Sequence, residues 1–509
     1  METPILTLEG LAVKQTECYK YLGIQIDSQL RWKEQAQRAT ANATKWIMQY
    51  RRLTKVNSGV SSKLMRQLYL AVALPKITYG LDVWYTPPTK PAGYTKNIGS
   101  VGILRNLQKV QRLATTAITG TLRSTPTDLI DAHAGIFPIE LALIKACHRA
   151  IVRILTLPDS HPLHQVTKQA KRHPPTKHPS PIDQLIKIFA LHNKKLETID
   201  STSYRPMEIR KYTTTIEKSR EDSISVEKLD NADYKIYSDG SGHDNQIGAA
   251  AILFKKGRAQ PLRSLKKFLG PKTKHNTYEA EATGALLATW ILRNSPEVIG
   301  KQVSLYIDNQ ALVTALAGTK SNSGQYLINE TSFMANDLPC KLTIRWISSH
   351  SEVKGNEAAD KLAKEAAAGR SSSTAELPHL LRSPLPISAS AIKQEFNAEL
   401  NGKWQTIWTN SPRKNRFTQL DPEFPFNNFR KRLYKLTRKQ TSTIMQLRTG
   451  HVPLNFYLHR INKTNSDRCT RCQGHEADEQ EVETINHFLF ICPAHNEART
   501  DIRKKANRP

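Results

Sequence analysis

The middle of this chain has the clearest alternation of apolar and polar positions. Tyr234 to Tyr237 reads as a short strand ending at Ser238-Asp239-Gly240-Ser241, a turn-type sequence. Ile247 to Phe254 is apolar throughout, as a strand buried on both faces should be. Ser264 to Leu269 predicts a weaker third strand, and Thr277 to Leu292, rich in alanine and leucine at helical spacing, predicts a helix. Val303 to Ile307 is a strand ending at Asp308, and Ala311 to Ala317 begins a helix. Leu342 to Ile347 is a further strand, followed by a loop containing His350; Gly355 then opens a helix from Asn356 to Ala368. This order implies a mixed sheet with helices packed against it.

The flanks are less regular. Tyr19 to Ile26 alternates like a strand, while Trp32 to Tyr50 and Ser61 to Leu74 carry apolar residues three and four apart, as helices do. Asp159 to Ser180 is rich in Pro, His and Lys and predicts a linker; residues 184–230 are charged and weakly periodic, suiting a helix or two and a tether. Gly369 to Ile387, rich in Ser and Pro, predicts a second linker, and Asn428 to Arg448 a basic helical region. No internal repeat of fixed period is found.

A chain of 509 residues exceeds one core and predicts about three or four domains. It carries 74 basic and 45 acidic residues, a net charge of +29. Residues 231–370 contribute 18 basic and 13 acidic, so +24 lies in the flanks. Such an excess attracts polyanions, and release of phosphate counterions makes nucleic acid the leading partner. The apolar runs are far shorter than a spanning helix, so no membrane is expected. The start, Met1-Glu2-Thr3, lacks a basic lead and apolar stretch, and no secretory signal is expected. Cys18, Cys147 and Cys340 are scattered and read as buried thiols, which suits a reducing, intracellular compartment.

Against this basic background, Asp239, Glu281, Asp308 and Asp360 stand on successive elements of the central block. If the strands that carry Asp239 and Asp308 are parallel neighbours, both carboxylates emerge at one sheet edge. Clustered carboxylates repel unless cations occupy the site, and hard oxygen ligands suit magnesium or manganese. Two such ions about 4 Å apart can serve hydrolysis of a phosphodiester. Taken singly, these residues have bland readings: a turn former at Asp239, a solvated helix face at Glu281, a helix cap at Asp308-Asn309-Gln310, a plain helix start at Gly355-Asn356-Glu357. Their order on these elements gives them weight together.

Near the end, Cys469-Thr-Arg-Cys472 is followed after fourteen residues by His487 and after four more by Cys492. Cys469, Cys472, His487 and Cys492 suit a tetrahedral zinc site, with His495 an alternative to His487 and His475 a spare. Coordination would add folding energy that this polar segment lacks.

The central pattern resembles the ribonuclease H type 1 domain. The resemblance rests on Tyr237-Ser-Asp239-Gly-Ser241, Ala280-Glu281-Ala282, Tyr306-Ile-Asp308-Asn-Gln-Ala311, Trp346-Ile-Ser-Ser-His350 and Gly355-Asn-Glu-Ala-Ala-Asp360-Lys-Leu-Ala363. It implies metal-dependent cleavage of the RNA strand of an RNA–DNA hybrid. By family role Asp239 bridges two Mg2+ or Mn2+ ions, Glu281 and Asp308 complete one site, Asp360 completes the other, and His350 assists proton transfer or product release. Glu279 competes with Glu281, but a helix turns about 200° over two residues, so only one can face the site; the family motif favours Glu281. Asn309, Asn356 and the backbone near Gly240 are candidates to read ribose hydroxyls.

Glu483-Thr-Ile-Asn-His487-Phe-Leu-Phe-Ile-Cys492, with Leu447-Arg-Thr-Gly-His451, resembles the tail of non-LTR retrotransposon polyproteins. Glu17-Cys-Tyr-Lys-Tyr-Leu-Gly-Ile-Gln-Ile26 and the helices after it resemble the palm end and thumb of retroelement reverse transcriptases. No Tyr-x-Asp-Asp motif occurs, and too few residues precede this match for a palm, so polymerisation is not expected; a separate reverse transcriptase polypeptide is a candidate partner, and the nucleus a candidate location. The expected fold class is multi-domain: a central α/β ribonuclease H-like mixed sheet with flanking helices, a mainly helical N-terminal segment and a small helical zinc-binding C-terminal region. The expected divisions are a thumb-like segment at 1–155, linker and tether at 156–230, the nuclease domain at 231–370, linker and helices at 371–427, and a basic helical region with the zinc-binding tail at 428–509. Two rival readings are a catalytically idle nucleic-acid-binding remnant and a DNA-cutting nuclease or transposase of the same fold.

Overall fold

In the computed structural model, residues 7–506 are described except 9–10, 13–15, 56, 173–178, 201–209, 319–321, 350–352 and 473–480. The chain forms two compact units, residues 148–399 and a second made of 1–147 together with 400–509.

The first unit is built on a six-stranded sheet. Its strands are β1 (Thr213–Thr215), β2 (Tyr234–His243), β3 (Gln246–Lys255), β4 (Arg263–Pro271), β5 (Gln302–Ile307) and β6 (Lys341–Trp346). Their spatial order is β1-β6-β5-β2-β3-β4. The β1-β6, β6-β5 and β5-β2 pairs are parallel, and β2-β3 and β3-β4 are antiparallel. Between them run helices α1 (Arg220–Leu229), α2 (Thr277–Arg293), α3 (Gln310–Ala317) and α4 (Gln325–Asn336), and α5 (Lys354–Ala367) follows β6.

Strand alternation divides the core between two faces. Ile236, Leu253 and Leu305 stand in register and belong to the large cluster that buries α2. Their neighbours Tyr237, Ile252 and Tyr306 face the other way and pack with Val353 and Ala359 around α5. The mixed sheet expected from the hydrophobic pattern is thus present, with one edge strand more than the pattern showed.

That strand comes from the presumed tether, and this corrects the reading of 156–230. Helices Pro162–Arg172 and Pro181–Ile188 fill parts of the presumed linker. Each opens on its proline, where a missing N–H removes no intrahelical bond. β1 and α1 then join the sheet: the Tyr212 hydroxyl donates to Leu316 O at 2.9 Å, and Asp230 accepts from the Tyr306 hydroxyl at 2.7 Å. Glu227 accepts from the Tyr237 hydroxyl at 2.6 Å and from Lys235 Nζ at 2.9 Å.

The second presumed linker, 369–387, is also part of the body. Ser372 N donates to Lys266 O of β4 at 2.8 Å, Trp290 Nε1 of α2 donates to Glu376 O at 2.7 Å, and Leu377 and Leu381 enter the core at 1% and 0% exposure. A further difference falls at Ser238-Asp239-Gly240-Ser241. β2 runs straight through it, and the turn lies at Asp244-Asn245, both at positive φ.

In the second unit, the segment Tyr19–Ile26 is a hairpin of Cys18–Tyr21 with Ile24–Asp27 rather than one strand, because Leu22 and Gly23 adopt φ of 45° and 88°. The expected helices are present as Lys33–Leu53 and as Ser62–Leu68, which continues to Ile77. The chain's two ends are joined here by Arg438, buried at 6% exposure, which donates to Ile118 O at 2.9 Å and Ser62 Oγ at 3.0 Å. The thumb-like segment and the basic helical region are therefore one compact unit rather than separate ones.

The flanks of the sheet should be measurable. A fragment of residues 210–388 should exceed 231–368 in unfolding free energy by about 3 kcal/mol or more, since trimming strips Tyr212, Leu377 and Leu381 from the core. Urea denaturation checks this; equal stabilities would mean that the flanks add nothing.

Candidate metal-binding sites

The strand register places the first two carboxylates. β2 and β5 run parallel with Tyr237 opposite Tyr306 and Ser238 opposite Ile307, so Asp239 and Asp308 occupy the next positions of both chains. By alternation both follow the tyrosines onto the α5 side of the sheet. Trp346 Nε1 of β6 donates to Asp308 O at 3.0 Å, which anchors the chain just beyond β5.

The third carboxylate depends on a glycine. A Cβ at Gly240 would lie 2.3 Å from Glu281 N and 2.5 Å from the Ala280 carbonyl carbon, so only glycine lets the α2 backbone touch β2 here. That contact delivers Glu281 to the sheet edge. Glu279 is committed elsewhere: Asn276 Oδ1 accepts from Glu279 N at 2.8 Å, and Glu279 Oε2 accepts from Asn276 N at 3.0 Å, which closes the cap of α2.

Asp239, Glu281 and Asp308 each place an oxygen within 4.8 Å of the other two. Asp239 and Glu281 are 5% and 7% exposed. Burial, followed by the nearby charges of Asp308 and Asp360, pushes Asp239 up to about 7. Burial and then Asp308 and Asp239 push Glu281 well above the usual carboxylate range. Glu281 Oε2 is buried with no hydrogen-bond partner. Crowded, proton-hungry oxygens with one such unsatisfied atom fit a hard divalent cation.

Asp360 stands apart from this trio. It lies on α5 close enough to influence Asp239, but its carboxylate accepts from Lys364 Nζ, one turn further on, at 2.7 Å. His350 lies outside the described residues. Asn356 is buried at 5% exposure with an unpartnered Oδ1, whereas Asn309 caps α3 by accepting from Leu312 N at 3.1 Å.

The cysteine cluster also closes in space. Cys469, Cys472, His487 and Cys492 bring ligand atoms within 4.8 Å of one another. The Cys469–Cys492 and Cys472–Cys492 Sγ separations are both 3.9 Å, and Cys472 Sγ lies 3.3 Å from His487 Nε2. Four ligands about 2.0–2.3 Å from one ion at tetrahedral angles need spacings of this size. His487 Nδ1 lies 2.7 Å from Glu481 Oε2, a contact that leaves Nε2 free to face the cluster. His495 instead packs on Phe488 with ring centroids 4.7 Å apart, and His475 lies outside the described residues.

Comparison with known proteins bears on the first site. Residues 231–368 match the family model described as RNase H. Similar solved structures include the N-terminal RNase H domain of a Mycobacterium tuberculosis protein, 17% identical with a TM-score of 0.23, where the match covers 27% of this chain and 96% of that one. RNase H1 of Halobacterium salinarum is 18% identical with a TM-score of 0.22, covering 27% and 98%. LC11-RNase H1 in complex with an RNA/DNA hybrid is 16% identical with a TM-score of 0.23, covering 27% and 97%. No curated protein matches. By the family match, residues 231–368 are an RNase H domain, and the flanking elements described above lie outside that match.

The raised carboxylates set a pH dependence. Asp239 keeps its proton in the folded state up to about 7, while the unfolded chain releases it near 3.8, so stability is lost as pH rises across that interval. In chelator the melting temperature of residues 148–399 should fall between about pH 4 and 7, and the gain on adding magnesium should grow over the same range. Asp239→Asn should flatten both trends; a melting temperature in chelator that rises with pH would contradict the burial argument.

Proposed function

We propose that the RNase H domain hydrolyses the RNA strand of RNA–DNA hybrids with divalent magnesium or manganese held at the carboxylate cluster. The observation that carries this reading is the convergence of Asp239, Glu281 and Asp308, with Glu281 Oε2 buried and unpartnered, inside residues that match the RNase H family. Bound there, two cations would supply activation of the attacking water and stabilisation of the leaving oxygen. Asp239, Glu281 and Asp308 hold the hard-ligand oxygens, and the sheet register and the Gly240 contact keep them in place. Asp360 would serve as a fourth carboxylate ligand once its bond to Lys364 is given up. His350 is proposed for proton transfer or product release. Basic residues outside the cluster supply attraction for the phosphate backbone.

The second reading, an idle nucleic-acid-binding remnant, is favoured by one observation: Asp360 is paired with Lys364 and lies outside the tight trio. Asp239→Asn in the full chain separates the two readings. Magnesium-dependent cleavage of labelled hybrid should fall about a hundredfold or more, equivalent to several kcal/mol, with hybrid binding retained. A parent chain that binds hybrid without cutting it favours the remnant.

For the C-terminal cluster the proposed ligand is one structural Zn2+ held by Cys469, Cys472, His487 and Cys492. This tail and the hairpin at residues 18–27 support a retroelement origin, with a separate reverse transcriptase as partner. Metal analysis should find one zinc per chain, and Cys492→Ser should remove it. Chelation should unfold the tail while residues 148–399 keep their melting transition; a tail that stays protected from hydrogen exchange without metal would count against the site.

A further inference from the structure

Outside the residues that match the family, one carboxylate is buried more deeply than those of the cluster. Glu197 is 1% exposed, although its segment reads from sequence as tether. Its Oε2 accepts from Gly324 N at 2.7 Å, while its Oε1 accepts from Ala389 N at 2.6 Å and from the Ser323 hydroxyl. Gly324 caps α4, and Ala389 opens the helix Ala389–Thr409. One carboxylate therefore satisfies N–H groups at the positive ends of two helices. Backbone bonds reinforce the junction, from Glu197 N to Ile387 O at 3.0 Å and from Ile387 N to Lys195 O at 2.8 Å.

This clasp closes on the start of the helix that carries Glu281. Ser388, whose Oγ is 3.0 Å from Ser323 Oγ, donates its N–H to Lys274 O at 2.9 Å, just ahead of the α2 cap. On the other side Gly324 lies against Glu279, where an added Cβ would come within 3.5 Å of Glu279 Cγ. Glu279 and Asn276 together close the cap of α2. One route from Glu197 thus ends at Lys274, two residues ahead of the Asn276 cap, and the other at Glu279 in the first turn of α2, two residues from Glu281.

We propose that Glu197 is a positioning residue for the carboxylate cluster, fixing through the first turn of α2 where the Glu281 carboxylate stands. The inference rests on the cation-dependent hydrolase reading. It adds that the ligand geometry is set partly by chain beyond the family match. Groups that orient metal ligands typically change metal affinity or activity by about 10–100-fold when removed.

Glu197→Gln in the full, zinc-loaded chain tests this, because the amide keeps the side-chain length but offers donors where N–H groups need acceptors. Manganese affinity by calorimetry and kcat for hybrid cleavage should each fall about tenfold, with KM for hybrid unchanged. A purely structural role would lower the melting temperature without moving manganese affinity. Affinity and kcat both within about twofold of the parent overturn the proposal. Should Glu197→Gln not fold, Ser323→Ala carries the same test with the same outcomes. Asp239→Asn run in parallel keeps the two failures distinct. An Asp239→Asn chain that still cleaves overturns the site itself, while an inactive one beside an unchanged Glu197→Gln overturns only the positioning role.

Discussion

The crowding of three buried carboxylates at one sheet edge is the constraint around which the central unit is organised. Two unit charges about 5 Å apart in an effective dielectric near 20 repel by about 3 kcal/mol, so three ionised groups would oppose folding strongly. The fold holds them together by means that do not depend on their charge. Parallel register puts Asp239 beside Asp308, and a glycine at 240 lets α2 approach until Glu281 joins them. Proton retention at Asp239 and Glu281 is how the cluster lowers its own repulsion. A divalent cation would displace those protons, which is why protons and metal compete here.

Much of this was legible in the sequence, and the parts that were not share a physical reason. Strands β2, β3, β5 and β6 and helices α2 and α5 carry period-two or period-3.6 patterns long enough to read. Tyr212, Leu377 and Leu381 stand in short stretches rich in polar residues and proline; their burial comes from tertiary packing that leaves no periodic trace. Asp-Gly-Ser reads as a turn because glycine is common in turns, yet Gly240 is required here by a helix backbone against its Cα. Glu279 and Glu281 were separated by a family motif, and the structure supplies the physical ground: one caps the helix and the other faces the sheet edge. His487 and His495 are both near the cysteines in sequence, and the structure tells them apart: His487 Nε2 lies 3.3 Å from Cys472 Sγ, while His495 packs edge-on against Phe488.

The distribution of charge fits an acidic site serving an anionic ligand. Residues 1–147 with 400–509 hold 39 basic and 19 acidic residues, whereas 148–399 hold 35 and 26. A phosphate backbone brought to bare carboxylates would be repelled at contact distance, where screening is least effective. Attraction from a surplus of basic side chains acts out to about a Debye length, some 10 Å at ordinary salt, and so gathers the polyanion. At the shortest range only a cation between carboxylate and phosphate can reverse the sign. On the proposed function, recruitment and chemistry would fall to different residues, and losing one need not abolish the other.

The two ligand clusters differ in what holds them when no metal is bound. The carboxylates sit on a sheet whose core contains Ile236, Leu253, Leu286, Leu305 and Ile344, all at 0% exposure, and burial on that scale outweighs the repulsion of three acids. Around the cysteines, the only buried apolar cluster among the described residues is Cys469, Cys472 and Cys492 themselves. Three thiols bury little apolar surface to set against the conformational entropy of ordering the residues that carry them. Folding and metal binding should therefore be one event in the tail and two separate events in the nuclease unit. On the proposed ligand sets, a chain without divalent metal would keep a folded, idle RNase H domain, whereas a chain without metal at the cysteine cluster would lose the structure of its tail.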